Sequence, residues 1–226
     1  MILLRRRTAH QSRALPGAYR PVAWIERPYG VNVCINTGLY WKHTWSARII
    51  VQQDTVRNGM PMASNGDRAL WFYCYTNSDT FSVHTRIGTT NYNATIYKPL
   101  DTGIHDIKYE GGTTEQRYYH NGTLVASRSR NFSDIEPDTM PLVIFGRSAA
   151  TVQYPYTGKI YLVQVWDENG TLLLDYVPCV RLADNIAGFW DRVNRRFITG
   201  VYDGADVPQR LVAGPYEADS EQAAAE

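Results

Sequence analysis

The sequence has little cysteine, almost no net charge and no long apolar run. Cys34, Cys74 and Cys179 stand far apart and show no CxxC or Cys/His ligand spacing. That excludes a disulfide-stapled framework and a zinc ribbon. Buried free thiols, packed as small hydrophobes, are the expectation. Twenty-three basic side chains against 22 acidic ones leave a formal net charge of +1, so a dedicated nucleic-acid binder, which carries a basic excess, is not expected. No apolar stretch approaches the roughly 20 residues of a spanning helix, and no long segment keeps a 3.6-residue period. At the N-terminus the apolar Met1-Ile2-Leu3-Leu4 precedes Arg5, Arg6 and Arg7. A secretory signal has the opposite order, so synthesis in a cytoplasm without a signal peptide is expected.

What the chain does have is aromatic and β-forming. Sixteen Tyr and 6 Trp in 226 residues are too many for a disordered polymer. A chain of this size buries roughly 70% of its unfolded surface, so it needs no metal or disulfide staple. Residues 44–51, 70–75, 81–87, 104–109 and 159–166 are rich in β-branched and aromatic residues, and most of them alternate at period two. Asn121-Gly122 and Asn169-Gly170 each separate two such runs. Asn-Gly suits the positive φ angles of a type I′ turn, so residues 116–127 and 160–176 are predicted hairpins. Pro178 is predicted to end a strand, because proline cannot donate to a ladder. Many short strands joined by Gly, Asn and Asp turns indicate an all-β, antiparallel two-sheet sandwich or barrel.

No linker composition divides the middle of the chain, which predicts one domain over residues 19–216. The flanks differ in charge. Residues 1–18 form a basic arm with Arg5, Arg6, Arg7 and Arg13, and residues 217–226 form an acidic tail. The arm is read as an assembly-docking element that meets an acidic neighbour.

The C-terminal third carries Gly158-Lys159-Ile160-Tyr161, Asp175-Tyr176-Val177-Pro178-Cys179, Gly188-Phe189-Trp190-Asp191, Val193-Asn194 and Phe197. Near the start stand Tyr19-Arg20-Pro21-Val22-Ala23-Trp24-Ile25-Glu26 and Ile35-Asn36-Thr37-Gly38. These segments resemble the opening and closing motifs of concanavalin A-like, laminin-G-like jelly-roll domains in phage and prophage structural proteins of gut bacteria. Ala23 departs from that pattern, where an acid is usual, and Asn36 replaces the usual Asp. The resemblance implies a jelly-roll sandwich of the concanavalin A-like lectin/glucanase type. It implies a virion protein made in a bacterial host cytoplasm, with other virion proteins, copies of itself in a homo-oligomer and host-surface glycans as partners. No membrane contact is expected. Laminin-G-like domains often hold calcium on a loop aspartate, which makes Asp67 and Asp101 the candidates; no other cofactor is implied.

A catalytic carboxylate pair on one strand face, as jelly-roll glycan hydrolases use, has no match. Asp134-Ile135-Glu136-Pro137-Asp138 alternates correctly, but Pro137 breaks the strand, and a solvated acidic loop is the expectation. The five histidines show no metal spacing, and no G-x-S-x-G elbow is present. An enzyme is not expected. Sugars have apolar faces that stack on aromatic rings and hydroxyls that suit Asn and Asp. On that chemistry the carbohydrate-binding candidates are Tyr40, Trp41 and His43, Asn65 and Asp67, and Tyr154 and Tyr156. The leading expectation is a virion protein that displays a lectin-like domain for glycan adhesion. The rivals are a purely structural decoration, fibre or tail-assembly protein and, behind it, a glycan hydrolase.

Overall fold

The computed structural model describes residues 15–129, 136–148, 152–202, 205–207 and 210–216. The arginines Arg5, Arg6 and Arg7 and the acidic tail lie outside the described residues. Among the described residues the chain is all-β, with no helix long and apolar enough to cross a membrane.

The smaller of two main sheets runs in the order β3 (Ile35–Tyr40), β12 (Pro141–Ile144), β5 (Gly59–Ala63), β6 (Leu70–Tyr75), β7 (Thr80–Ile87), β8 (Thr90–Tyr97). The larger runs β11 (Thr123–Ser129), β10 (Glu115–His120), β9 (Ile104–Glu110), β4 (Ser46–Gln53), β13 (Gly158–Trp166), β14 (Leu172–Arg181), β15 (Ile186–Asp191), β16 (Arg196–Ile198). On it, β1 (Tyr19–Pro21) joins β14, while β2 (Ile25–Arg27) pairs with both β13 and β19 (Val212–Ala213). β17 (Val201–Tyr202) and β18 (Ala205–Asp206) form a separate ribbon, tied on by a bridge between Val201 and Cys34. The named strand pairs are antiparallel. The chain crosses between the sheets from β2 to β3, β3 to β4, β4 to β5, β8 to β9, β11 to β12 and β12 to β13, as in a jelly roll.

The period-two strands bury one face each. In β4, Ala47, Ile49 and Val51 point inward, and in β13 so do Ile160, Val163 and Val165. They meet Phe72, Cys74, Phe81 and Val83 of the smaller sheet in one core. Trp41, Tyr109, Tyr118, Tyr156 and Tyr176 fill its ends and are fully buried. All three cysteines are buried free thiols. Burial pushes Cys34 up to about 11 and Cys179 up to about 12, so they are inert at neutral pH.

The motif carboxylates are structural. Asp191, fully buried, accepts hydrogen bonds from the Val193 and Asn194 amides at 3.1 and 3.3 Å and from Asn194 Nδ2 at 2.7 Å, closing the turn into β16. Asp175 accepts from Arg192 Nε at 2.7 Å. Asn36 keeps the acceptor role of an Asp, since its Oδ1 takes the Gly38 amide at 2.9 Å.

Two local expectations need correction. Asn121 (φ 50°) and Gly122 (φ 80°) form the predicted type I′ turn. Asn169-Gly170 does not, because only Gly170 has positive φ. Asp167 Oδ1 accepts from the amides of Asn169 and Thr171, and the Gly170 amide bonds to Asp167 O. That favours a type I turn followed by a left-handed glycine over the two-residue loop. Pro178 does not end β14. It stays in the ladder with β15, opposite Phe189, at the point where Tyr176, β13's last partner, gives way to Cys179, β1's first. Its carbonyl accepts from the Val22 amide.

Candidate functional site

The run Leu70–Tyr75 is aromatic on both faces. Leu70, Phe72 and Cys74 enter the core, so strand alternation places Trp71, Tyr73 and Tyr75 together on the outer face of the smaller sheet. Met60 and Ala63 of β5 form the floor beneath this row. His84 of β7 lies opposite Trp71, with ring centroids 6.0 Å apart. Tyr73 contacts Tyr75 edge-on at 5.0 Å and Tyr154 at 5.6 Å. Trp71 donates its Nε1–H to Ser64 O at 2.7 Å, which fixes the plane of the indole.

A loop after β12 supplies the rest. Phe145 (φ 68°) and Tyr154 (φ 48°) both occupy the left-handed region. Bulky residues rarely tolerate it, and such strain persists only where the surroundings impose it. Here the Phe145 amide bonds to Pro61 O, the Arg147 amide to Gln153 O, and the Met60 amide to Tyr154 O. The result lays Arg147 over the Trp71 ring at 4.7 Å and brings it within 5.8 Å of the Tyr154 ring. Tyr75 (37% exposed) and Tyr154 (44%) remain open to solvent. The row also adjoins a cleft of about 540 Å³, whose lining includes Thr76, next to Tyr75, and Pro155, next to Tyr154. Tyr29 and Arg57 stand at the cleft, stacked at 4.2 Å.

Of the sequence candidates, Tyr154 belongs to this site. Trp41, His43 and Tyr156 do not, because each is fully buried. Trp41 packs on Tyr109 and Trp45, and the His43 ring meets Arg86 O at 2.8 Å. They lie in strand-end loops but point into the core. Tyr40 is exposed at the end of β3, away from the row. Asn65 and Asp67 belong to a loop that Asp138 holds, its carboxylate accepting from the Gly66 and Arg68 amides. Asp138 is thus buried and bonded, not a solvated loop acid. Asp67 faces Arg86 at 3.9 Å, near the Trp71 end of the row. Trp71, Tyr73, Tyr75, His84 and Arg147 went unread as site residues, although three aromatics at alternate positions was the available signal.

The surroundings of Asp67 and Asp101 do not suit calcium, which takes six to eight oxygens. Asp67 faces a guanidinium, and Asp101 Oδ1 already accepts from the Gly103 amide at 2.6 Å and His105 Nε2 at 2.7 Å. Among the described residues no cluster of His, Cys, Asp and Glu is arranged to hold a metal ion.

Asp101 instead begins a chain across the sandwich edge. In the neutral ring, with His105 Nε2–H donating to Asp101, His105 Nδ1 accepts from His120 Nε2–H, at 2.9 Å. Tyr97 of the smaller sheet stacks on both rings. Burial, followed by the His105 charge, holds His120 below its ordinary 6.5, and burial does the same to His84. A lowered folded pKa means that the unfolded chain binds the proton first. This stability is complete above about pH 6.5 and lost as pH falls. The melting temperature should therefore drop between pH 7 and 5 in a circular-dichroism series, and drop less in His120→Gln.

Solved structures with a similar fold include the following two. A putative carbohydrate binding protein from Bacteroides ovatus superposes with a TM-score of 0.57 at 18% identity, covering 89% of this chain and 62% of that one. A heptameric SAP-like pentraxin from Limulus polyphemus gives a TM-score of 0.52 at 12% identity, covering 66% of this chain and 77% of that one. The fold is the concanavalin A-like jelly roll. This jelly roll thus spans somewhat less than two thirds of the Bacteroides protein's length. No protein-family profile matches the chain, and no curated protein matches it.

Proposed function

We propose that this jelly roll is a non-catalytic glycan-binding module carried on a phage particle. The observation that carries the glycan half is the aromatic row Trp71–Tyr73–Tyr75 with Tyr154 on the outer face of the smaller sheet, in which Tyr75 and Tyr154 are exposed on either side of the buried Tyr73. Tyr75 and Tyr154, each braced edge-on by Tyr73, offer apolar faces to sugar rings with little ordering cost. The Bacteroides neighbour, described as a putative carbohydrate binding protein, supports the same reading. The virion half rests on the opening and closing motifs of the sequence. In that setting Arg5, Arg6 and Arg7 dock the module to an acidic surface of another virion protein or of a second copy.

Tyr75 and Tyr154 are open enough to be truncated without loosening the core. Tyr75→Ala and Tyr154→Ala should each weaken binding about 5- to 30-fold by calorimetry, as for a contact worth about 1–2 kcal/mol. Their melting temperatures should stay within about 2 °C of the parent. Chelation with EDTA should leave affinity unchanged. Absence of binding to any host-surface polysaccharide would favour a purely structural virion protein. New reducing ends on incubation would favour a hydrolase. Immunolabelling of purified particles tests the location.

A further inference from the structure

We infer that the glycan bound at this row carries a carboxylate, and that Arg147 receives it. The inference rests on the glycan-binding reading and adds the chemical class of the sugar.

Arg147 is a cation that lacks a counter-ion among the described residues. Among the described residues no carboxylate forms an ion pair with it, and its Nε–H is buried with no hydrogen-bond partner. Buried polar groups nearly always find a partner, and charged ones most of all. After burial, the strongest electrostatic influences on it are the Tyr154 phenol, which raises its pKa, and Arg86, a like charge that lowers it. Burial and Arg86 both favour the neutral guanidine and pull its pKa down. Asp67, the acid near this end of the row, already faces Arg86. The remaining neighbours are neutral rings: the Tyr73 phenol is pushed up to about 12, chiefly by burial.

The placement suits recognition. A guanidinium stacked over Trp71 keeps its N–H groups in its own plane, where a carboxylate can meet two of them side by side. The ring stack fixes the fork before a ligand arrives. The strained residues Phe145 and Tyr154 flank the segment that delivers it. Tyr75 and Tyr154 then stack on the sugar ring while Arg147 selects its acid group.

The test uses the whole chain and paired probes. Oligogalacturonate, hyaluronan oligosaccharide and sialyllactose would each be titrated beside its own methyl ester, in 50 mM and 300 mM salt. At least one free acid should bind 10-fold or more tighter than its ester, with a difference that shrinks at high salt. Arg147→Gln should abolish that difference without lowering the melting temperature. Arg147→Lys should keep part of it, since the charge remains and the fork is lost. Equal affinity for acid and ester, or a preference that survives Arg147→Gln, overturns the inference while leaving glycan binding intact. Equal binding of a sulfated neutral-backbone oligosaccharide overturns the carboxylate assignment. No binding of any glycan overturns both readings.

Discussion

Trp41→Ala should cost about 3–5 kcal/mol of stability and leave the glycan affinity of the folded protein unchanged. The indole is fully buried against Tyr109, at 5.7 Å, and Trp45, at 6.2 Å. Truncation removes a large apolar surface and leaves a cavity that strands on both sides cannot close. Trp41 Nε1 has no hydrogen-bond partner among the described residues. Trp41→Phe should therefore cost much less, because it keeps an aromatic ring and discards an unsatisfied donor. Urea unfolding measures both, and calorimetry below the transition measures binding. A loss of affinity in Trp41→Phe at undiminished stability would return Trp41 to the binding surface.

Gly158→Ala should be comparably severe, at about 3 kcal/mol or more. This first residue of the Gly158–Tyr161 motif has φ +140°, and an added Cβ would overlap the Gln52 carbonyl oxygen and lie 2.9 Å from Gln53 Cα. Both obstacles are backbone atoms of the adjoining β4, so neither can swing aside. For a domain of this size the melting temperature should fall by about 6–12 °C. Gly122→Ala is the control. It also has positive φ, but nothing lies within 4 Å of the added carbon. Its cost should be about 1 kcal/mol, from backbone strain alone. Equal losses in the two variants would show that overlap with β4 contributes nothing.

The β architecture was legible because alternation and turn chemistry are local. Thr80–Ile87 and Gly158–Trp166 are strands, as the alternation predicted, Leu70–Tyr75 and Ile104–Glu110 are strands, as their apolar and β-forming content predicted, and Asn121-Gly122 makes the predicted turn. Pro178 and Asn169-Gly170 went astray for non-local or competing reasons. One depends on where β13 hands over to β1, the other on the Asp167 side chain. The site was harder to read. Period two says that Trp71 and Phe72 face opposite ways, but two equally apolar faces do not reveal which one meets the other sheet. Trp41, His43 and Tyr156 failed in the converse way, since a loop at a strand end can aim inward. Arg147 had no sequence signal, because its role depends on a chain crossing between Phe145 and Tyr154.

The two ends of the described chain are stitched together. β2 pairs with β19, Val22 bridges Tyr216, and Ala23 donates to Pro215 O. Among the described residues, β1 and β2 therefore find their strand partners only in β13, β14 and β19. A nascent chain can close the hairpins of β6, β7 and β8 as each strand leaves the ribosome, but its first strands wait for the last. Contacts of such long sequence separation slow folding. The rate-limiting event should be the late arrival of β13 and β14 on β1, β2 and β4. A chain truncated before β13 would expose β4 as an open edge, and aggregation rather than partial folding is its expected fate.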